Sequence, residues 1–481
     1  MNGSLAFSAL LPEHLLLLGI VVLLAADIIG TWSRGALLMG VAAVAAAAGV
    51  AASMSMQGMS GAPFPGQFSI TPAILLAKTI VLALAVPILL MSRDDFDGGE
   101  FPALLLSSLY GVCLLISADS FLITFLGLEL MSIPVYALIL MAYRRPQSAE
   151  SALKYLVLGG TASAMFLMGV SLLYAITGSM DIGAFSTALG ASDLGSRAAV
   201  VLILLAFFLK AAIVPFHAWA PDAYEGASVP VTAYMATIVK AGVMLAIVRL
   251  FGTATVASPV ADLLAIFPLV SIVWGNLAAM RQRSFRRMIA YSSIAHAGYL
   301  FYALLGDGAG RMQAVTFYVL AYGLLNVLAF AALPADENDA QRDSLEHLQG
   351  LYHRNPFSAL VIGVAMLSLA GLPPFPGFVA KFLIFKNVLA AGYTTYAVLG
   401  LIGSYLGIYF YLRVIQFLFM SPSGSPSASQ ADGHGHAHAP AQAHTHDATA
   451  GLGGFARAAS VLCLVAMLLL SLAPSWILDR L

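Results

Sequence analysis

The feature that most constrains the fold of this chain is a series of apolar runs, each about 20 residues long. A run of that length crosses a bilayer as a helix, whereas barrel strands are shorter and alternate apolar with polar residues. The composition agrees, since 60% of the 481 residues are hydrophobic and 9% are charged, against roughly 25% charged in soluble domains. The sequence therefore predicts an all-α polytopic membrane protein and excludes a soluble enzyme.

The predicted number of spans is 14, if the region 356–390 forms one long, interrupted helix. An alternative for the region 102–142 is a single span with a re-entrant turn. The apolar runs lie near 8–29, 35–55, 71–91, 102–118, 120–142, 154–177, 198–219, 228–251, 260–280, 286–306, 313–333, 356–390, 396–419 and 456–476.

Arginines in the loops support this number and give an orientation. With the N-terminus outside, eleven arginines fall in inside loops and four in outside loops or the C-terminal tail, which is the positive-inside bias of membrane proteins. Adding or losing one span midway would mix the two groups. Both termini are therefore predicted on the outer face. The N-terminus lacks a basic segment, so the first run is predicted to be a spanning helix rather than a signal peptide.

All the lysines lie within or at the end of apolar runs, whereas arginine supplies the loops. A charge near the bilayer centre costs about 2.5–3.5 kcal/mol and is usually kept for an ion pathway or a proton relay. The alternative is that the lysines extend from helix ends to the interface, which fits Lys386 well and Lys78 less well. It does not fit Lys210 or Lys240, which lie deep in their runs. The six lysines are Lys78, Lys154, Lys210, Lys240, Lys381 and Lys386.

One acidic residue, Glu129, interrupts a long apolar run, FLITFLGLELMSIPVYALIL, while nearly all other acids lie in loops or at span ends. A buried carboxylate keeps its charge by approaching a cation, so we expect Glu129 to pair with one of the buried lysines. A static ion pair that only orients helices is the alternative. The further unpaired lysines favour a proton relay.

Two spans are interrupted by proline. Pro215 follows Lys210, and Pro373, Pro374 and Pro376 precede Lys381. Proline frees backbone carbonyls, and irregular backbone is tolerated at membrane depth only around a cavity or in the protein interior. Paired interrupted helices mark the ion site of transporters built from inverted repeats.

The two breaks fall in the seventh and twelfth spans, which fits two inverted five-helix repeats, helices 4–8 and 9–13. The predicted parts of the chain are the N-terminal helices 1–3 in 1–100, the first repeat in 101–252, the second repeat in 258–420, a His-rich loop in 421–454 and a C-terminal helix 14 in 455–481.

The run MIAYSSIAHAGYLF places several polar side chains in one span, with His296 near mid-depth. A neutral imidazole relays protons well near pH 7, so His296 is a candidate relay residue. A packed, hydrogen-bonded histidine is the alternative. The other polar residues of this run are Tyr291, Ser292, Ser293 and Tyr299.

A low-complexity segment, Ser421 to Ala450, is rich in Ser, Gly, Pro and Ala. We interpret it as a flexible inside loop with no required metal, and weak divalent-metal binding by its histidines is the alternative. These histidines are His434, His436, His438, His444 and His446.

Several other functions are excluded by what the sequence lacks. A net charge of −1 without a basic stripe gives no surface for nucleic acid. Cys113 and Cys463 lie far apart in apolar runs, so neither a disulfide framework nor a zinc site is expected. The sequence has no dinucleotide-binding or P-loop glycine pattern and no HExxH. No cofactor is therefore expected in this chain.

Four segments resemble the antiporter-like proton-pumping subunits of respiratory complex I, and most of all subunit N of bacterial NADH-quinone oxidoreductase. The resemblance covers residues 100–420, and the string PDAYEGA with VPVTAY favours subunit N over subunits L and M. The four segments are ESALKYLVLGG, KAAIVPFHAWAPDAYEGASVPVTAY, RRMIAYSSIAHAGY and LAGLPPFPGFVAKF.

The resemblance implies roles for particular residues. Glu129 and Lys210 match the paired residues of helices 5 and 7, and Lys240 matches the central lysine of helix 8. Lys381 matches the helix-12 residue that faces the outer exit. Lys154 matches the lysine of the ALKY motif and His296 the polar position of helix 10.

The resemblance also implies a setting for the chain. The whole complex uses NADH, FMN, iron–sulfur clusters and quinone, with quinone reduction in neighbouring subunits supplying the energy. The implied partners are other membrane subunits, with M and K as flanking neighbours, in the bacterial inner membrane. The His-rich segment departs from the family pattern.

Related functions stay open at this point. A subunit of a multisubunit cation/proton antiporter, or of a membrane-bound hydrogenase, would carry the same helices and lysines. A scaffold whose lysines only brace the complex is a third alternative. Flavin and iron–sulfur proteins encoded beside this chain would favour the redox function over the antiporter.

Overall fold

The computed structural model describes residues 7–30, 35–142, 145–254, 256, 258–306, 308–334, 344–421 and 452–481. In this part of the chain, 13 helices are long and apolar enough to cross a membrane. They are Leu11–Ile29, Ala36–Met56, Pro72–Asp94, Glu100–Ser117, Phe121–Leu140, Gln147–Thr177, Leu194–Ala211, Val229–Phe251, Val260–Ala279, Phe285–Leu305, Gly310–Ala331, Thr394–Phe419 and Gly454–Leu472.

The remaining predicted span is the interrupted region 356–390. It contains two helices of 15 residues each, Pro356–Ala370 and Pro376–Ala390. Counting this region as span 12, we number the spans 1 to 14 in chain order. The all-α polytopic fold predicted from the sequence is therefore confirmed, and the region 102–142 forms two separate helices. The His-rich segment and its five histidines lie outside the described residues.

Short elements connect several spans. Trp219–Gly226 follows span 7, and Gly183–Leu189 and Leu351–Arg354 precede spans 7 and 12. Ser475–Leu478 ends the chain. A hairpin of two antiparallel strands, Gly61–Phe64 and Phe68–Ile70, lies between spans 2 and 3. This hairpin was not predicted from the sequence.

Hydroxyl and carboxylate side chains cap the N-terminal ends of several spans. The side chain of Thr71 accepts a hydrogen bond from the Ile74 amide at the start of span 3, and Ser120 accepts one from Ile123 at the start of span 5. Asp193 does the same for Ser196 at span 7. The first amides of a helix have no partner within it, so these caps define where each helix begins.

Spans 8, 10 and 11 form the centre of the molecule. Their apolar windows are 100%, 94% and 94% buried, whereas those of spans 1 and 2 are 28% and 33% buried. A helix that is apolar all round and fully enclosed by protein can hold a polar side chain away from lipid. The two central candidates, Lys240 in span 8 and His296 in span 10, therefore lie inside the protein.

Both predicted helix breaks are present, five spans apart. Span 7 ends at Ala211, and the chain resumes a helix at Trp219. In span 12 the first helix ends at Ala370 and the second begins at Pro376. Each first helix is followed by a residue in the left-handed region, Ala212 with a φ of 61° and Gly371 with a φ of 85°. The two repeats therefore interrupt corresponding helices in the same way.

Candidate functional site

Glu129 and Lys210 face each other between spans 5 and 7. Lys210 Nζ lies 3.5 Å from Glu129 Oε1, with side chains that are 4% and 24% exposed respectively. Lys210 is at the end of span 7, immediately before the break, so its side chain reaches the protein interior. The expected approach of Glu129 to a buried lysine is therefore present, and Lys210 is the partner.

Two serines support this pair. Ser163 of span 6 donates its hydroxyl to Glu129 Oε1, and Lys210 Nζ donates to Ser132 Oγ over 3.2 Å. Ser132 lies three residues after Glu129, on the next turn of the same helix. The ammonium thus contacts both a carboxylate and a neutral hydroxyl, an arrangement that stabilises it without a fully closed ion pair.

Lys240 lies in the middle of span 8 and is 7% exposed. Its Nζ donates to the carbonyl oxygen of Ser293 over 2.6 Å and also to Ser293 Oγ. Ser293 Oγ lies 3.3 Å from the hydroxyl of Tyr224. These contacts, in the part of the chain that is described, are all to neutral oxygen atoms. Lys240 therefore has hydrogen bonds that do not require it to stay charged.

The backbone changes pitch immediately before Lys240. Residues Met235–Val239 form a π-helical turn between two α-helical parts of span 8. Single π turns leave carbonyl groups less regularly bonded and occur often at functional sites. The run MATIVK has no proline or glycine that signals this turn, so it could not be predicted from the sequence.

His296 has a hydroxyl at each ring nitrogen. The hydroxyl of Tyr318 lies 2.7 Å from Nδ1, and that of Tyr411 lies 3.1 Å from Nε2. Tyr411 OH also lies 2.5 Å from Ser292 Oγ. The ring of Tyr322 stacks on the imidazole with 4.5 Å between ring centroids. A neutral imidazole has one donor and one acceptor nitrogen, so one tyrosine accepts a hydrogen bond while the other donates one.

Lys381 lies in the second half of interrupted span 12. Its Nζ donates to the carbonyl oxygen of Ala370 over 3.0 Å and to Ser404 Oγ over 3.1 Å. Ala370 is the last helical residue before the break. Its carbonyl has no partner further along the helix, so the interruption of the helix supplies the acceptor for Lys381.

The face of span 10 connects Lys240 to Lys381. Ser293, which accepts from Lys240, is followed after one turn by His296 and after another by Tyr299. The Tyr299 ring lies 5.3 Å from Lys381 Nζ. Between Lys210 and Lys240, by contrast, the hydrogen bonds and ion pairs of the described residues share no side chain. Ser293, His296 and Tyr299 thus form a polar stripe on one face of span 10, on one side of Lys240.

Lys154 has a different environment. Its side chain is 42% exposed, and its Nζ lies 2.6 Å from both Glu150 Oε1 and Asp222 Oδ2. Arg287 joins the same cluster through Asp222, at 3.0 Å, and Glu225, at 2.7 Å. Burial alone raises the pKa of the Asp222 carboxyl, but hydrogen bonds from Lys154 and Arg287 bring it below its usual value. Lys154 therefore belongs to an exposed charge network and not to the buried chain.

The alternative that Lys78 extends to the interface is wrong. Its side chain is 0% exposed and donates to Glu13 Oε1, and Glu13 is 1% exposed. Glu129 is therefore not the one acid placed deep in an apolar environment. Glu13 lies close to the start of span 1, which from the sequence alone indicates an interfacial position.

The two cysteines are not paired with each other. Cys113 and Cys463 are both free and buried. Among the described residues, no group of three or more His, Cys, Asp or Glu side chains is placed to hold a metal ion. Several polar partners of the site were not predicted, because their roles depend on contacts between spans that the sequence does not show. They are Ser132, Ser163, Asp222, Arg287, Tyr318, Ser404 and Tyr411.

Known proteins with similar sequences share one description. Residues 118–407 match the family described as NADH:quinone oxidoreductase/Mrp antiporter, transmembrane. NADH-quinone oxidoreductase subunit N of Pelobacter propionicus is 36% identical over 414 residues, which are 86% of this chain and 89% of that protein. The subunit N of Desulfovibrio desulfuricans is 35% identical over 442 residues, 86% of this chain and 87% of that protein.

Solved structures include chains with the same fold. A chain of respiratory complex I from Thermus thermophilus with bound aureothin is 34% identical, with a TM-score of 0.80 over 97% of this chain and 98% of that one. A chain of the Mrp complex from Dietzia sp. DQ12-45-1b has a TM-score of 0.80 over 98% of this chain and 96% of that one. Its 22% identity shows a common fold alone. By sequence and structure together, the chain belongs to the family of NADH-quinone oxidoreductase subunit N.

Proposed function

We propose that this chain translocates protons as a membrane subunit of an NADH-quinone oxidoreductase in the bacterial inner membrane, with both termini on the periplasmic side. NADH, FMN, iron–sulfur clusters and quinone act in other subunits, and this chain holds none of them. Its own residues take up, hold and release protons. Catalysis by the whole complex thus depends on this chain for translocation and not for electron transfer.

The observation that carries this proposal is the environment of Lys240. A buried lysine beside a carboxylate is held in its charged form, but Lys240 is bonded to the oxygen atoms of Ser293. A buried ammonium without a counter-charge is costly, and lysine can lose its charge on burial whereas arginine cannot. Lys240 is therefore suited to alternate between a charged and a neutral form.

The other candidates have complementary roles in this proposal. The Glu129–Lys210 pair stabilises a proton on Lys210 until the charge of Glu129 is neutralised or drawn away. His296, with a hydroxyl at each nitrogen, passes a proton along the stripe of span 10. Lys381, held at the break of span 12, releases the proton toward the outer side. Lys154 acts at the inner mouth of the path, where its charge network is open to solvent.

Two surface features support flanking partners. Glu129 remains 24% exposed at the side of the chain. Lys381 borders a cavity of about 570 Å³ that opens between Phe378, Phe382 and Tyr405 on spans 12 and 13. A charge at the lipid-facing surface is expensive unless protein covers it. We therefore infer a neighbouring membrane subunit at each side, and subunits K and M fit this place.

The proposal is tested with Lys240→Ala in the whole complex. The variant removes the amine and leaves no buried charge behind, so we expect normal assembly and loss of NADH-driven proton uptake or release in sealed membrane vesicles. Lys386→Ala is the control, because Lys386 is exposed at the protein surface. Wild-type pumping by the Lys240→Ala variant would contradict the proposal. Copurification of flavin and iron–sulfur proteins with this chain separates this function from that of a cation/proton antiporter.

A further inference from the structure

Glu13 and Lys78 form a second buried pair, outside the two five-helix repeats. Glu13 is on span 1 and Lys78 on span 3, and the exposed fractions of their side chains are 1% and 0%. Among the described residues, this pair and Glu129–Lys210 are the Glu–Lys ion pairs whose side chains are less than one-quarter exposed. The N-terminal helices thus hold an ion pair of the same chemistry as the candidate site.

The pair is incompletely satisfied. Lys78 donates to Glu13 Oε1, but Glu13 Oε2 is buried and has no hydrogen-bond partner among the residues that the structure describes. A buried carboxylate oxygen without a hydrogen bond raises the free energy of the folded state. Glu13 Oε2 therefore either binds water or loses its charge by taking up a proton. A pair whose only role was to brace two helices would gain from satisfying both oxygens, and buried ion pairs are in any case weak contributors to stability.

A thin apolar cover separates the pair from one end of the membrane. Spans 1 and 3 begin at the same end, and Lys78 is six residues into span 3, a rise of about 9 Å. The Phe68 ring of the hairpin lies 4.8 Å from Lys78 Nζ. A small cluster separate from the main core lies there: Ala9, Met54, Phe68, Ile70 and Leu75. On the predicted orientation, this end faces the outer side.

Buried hydroxyl groups extend from the pair toward Lys240. Tyr110 and Cys113 of span 4 lie near Glu13, and Cys113 lies near Tyr234 of span 8. Along span 8, Tyr234 and then Thr237 precede Lys240. The Tyr234 hydroxyl lies beside Ser108 of span 4, and the Thr237 hydroxyl is buried without a hydrogen-bond partner among the described residues. Buried polar atoms without protein partners are where ordered water is expected.

We propose that Glu13 and Lys78 form a second proton-exchange site, which links the central Lys240 to the outer aqueous phase through the N-terminal helices. This inference rests on the proposed function. The Lys78 ammonium gives a proton to Glu13, leaving a neutral amine and a carboxylic acid. The acid releases the proton to water on the outer side, and the amine takes a proton from water on the side of Tyr234. Each cycle moves one proton and restores both groups.

The decisive variant replaces Lys78 by arginine and Glu13 by aspartate, which makes room for the larger cation. The ion pair remains, but arginine stays protonated. In sealed vesicles holding the whole complex, we expect normal assembly and NADH oxidation with fewer protons pumped per NADH, because the route through Lys381 stays open. Met54→Leu, a volume-conserving change in the apolar cover, is the control and should pump normally.

A second variant keeps the test informative if the first variant does not fold. Glu13→Gln with Lys78→Met removes both charges together, and it should also assemble and pump fewer protons per NADH. Wild-type pumping by either assembled variant would overturn the inference, and so would failure of both to assemble, since the pair would then be a brace. Lys240→Ala in the same vesicles separates the two proposals. Loss of pumping there, with normal pumping by the Glu13→Asp/Lys78→Arg variant, contradicts this inference alone. Normal pumping by Lys240→Ala contradicts the proposed function.

Discussion

Lys240 Nζ lies 2.6 Å from the backbone carbonyl oxygen of Ser293, so the central lysine of span 8 is held by the backbone of span 10. A carbonyl accepts a hydrogen bond from a neutral amine as well as from an ammonium. The contact therefore survives when the lysine loses its proton, and the lysine stays in place through a cycle of protonation.

The first prediction concerns charge at this position. Lys240→Arg keeps a positive charge beside Ser293 but cannot release a proton. We expect an assembled complex whose proton pumping is as low as that of Lys240→Ala. The measurement is the rate of vesicle acidification relative to NADH oxidation. If arginine restored pumping, a fixed charge at Lys240 would suffice and the relay role would be wrong.

Loss of the carboxylate at Glu129 should harm activity more than loss of an exposed lysine. Glu129→Gln leaves Lys210 buried without its counter-charge, which costs about 3–5 kcal/mol for a fully desolvated pair. The cost is smaller here, because Glu129 is 24% exposed. Lys386→Ala removes a charge at the surface and is the matched comparison. Equal turnover in the two variants, measured as quinone-linked pumping, would contradict a functional role of the pair.

The hydroxyl of Tyr411 is predicted to carry protons to His296. Tyr411→Phe removes only the oxygen that lies between Ser292 Oγ and His296 Nε2, so the ring packing is kept. We expect normal assembly and slower pumping, with a further loss when Tyr318→Phe is added. Tyr409→Phe, on the exposed side of span 13 and away from the cavity beside Lys381, is the control. Undiminished pumping in the double variant would show that His296 is a packed histidine.

Gly371→Ala should disturb Lys381 directly. Gly371 has a φ of 85°, a conformation that strains any residue with a Cβ. An added methyl group would also lie 3.0 Å from Cδ and 3.1 Å from Nζ of Lys381. We expect reduced pumping with an assembled complex. Gly160→Ala, where a Cβ meets open space, serves as control; equal effects of the two changes would exclude a local action on Lys381.

The charge network around Asp222 should stabilise the chain throughout the neutral range. Its carboxyl has a pKa below the usual 3.8, so the stabilisation is present above that value and is lost as pH falls through the lower, folded-state pKa. We therefore expect Asp222→Asn to lower the melting temperature of the purified complex by the same amount at pH 5 and pH 8. A difference that vanished between these two values would assign the effect to another group.

The membrane-spanning fold, the two helix breaks and the burial of Lys210 and Lys240 were predictable from the sequence. Each of these depends on local chemistry: about 20 apolar residues span a bilayer, proline ends a helix, and a charge deep in such a run must face protein. For that reason the sequence alone predicts Lys210 and Lys240 as candidate site residues.

Which groups those residues contact depends on how the helices pack. Glu13 lies near a helix start, and Lys78 is six residues into its span, so each by itself is typical of an interfacial charge. Their burial results from packing of spans 1 and 3 and from the hairpin above them. Likewise, Tyr411 meets His296 across 115 residues of sequence. Hydropathy fixes how deep a side chain lies in the membrane, but helix packing chooses its neighbours, and those neighbours decide whether a buried charge can move a proton.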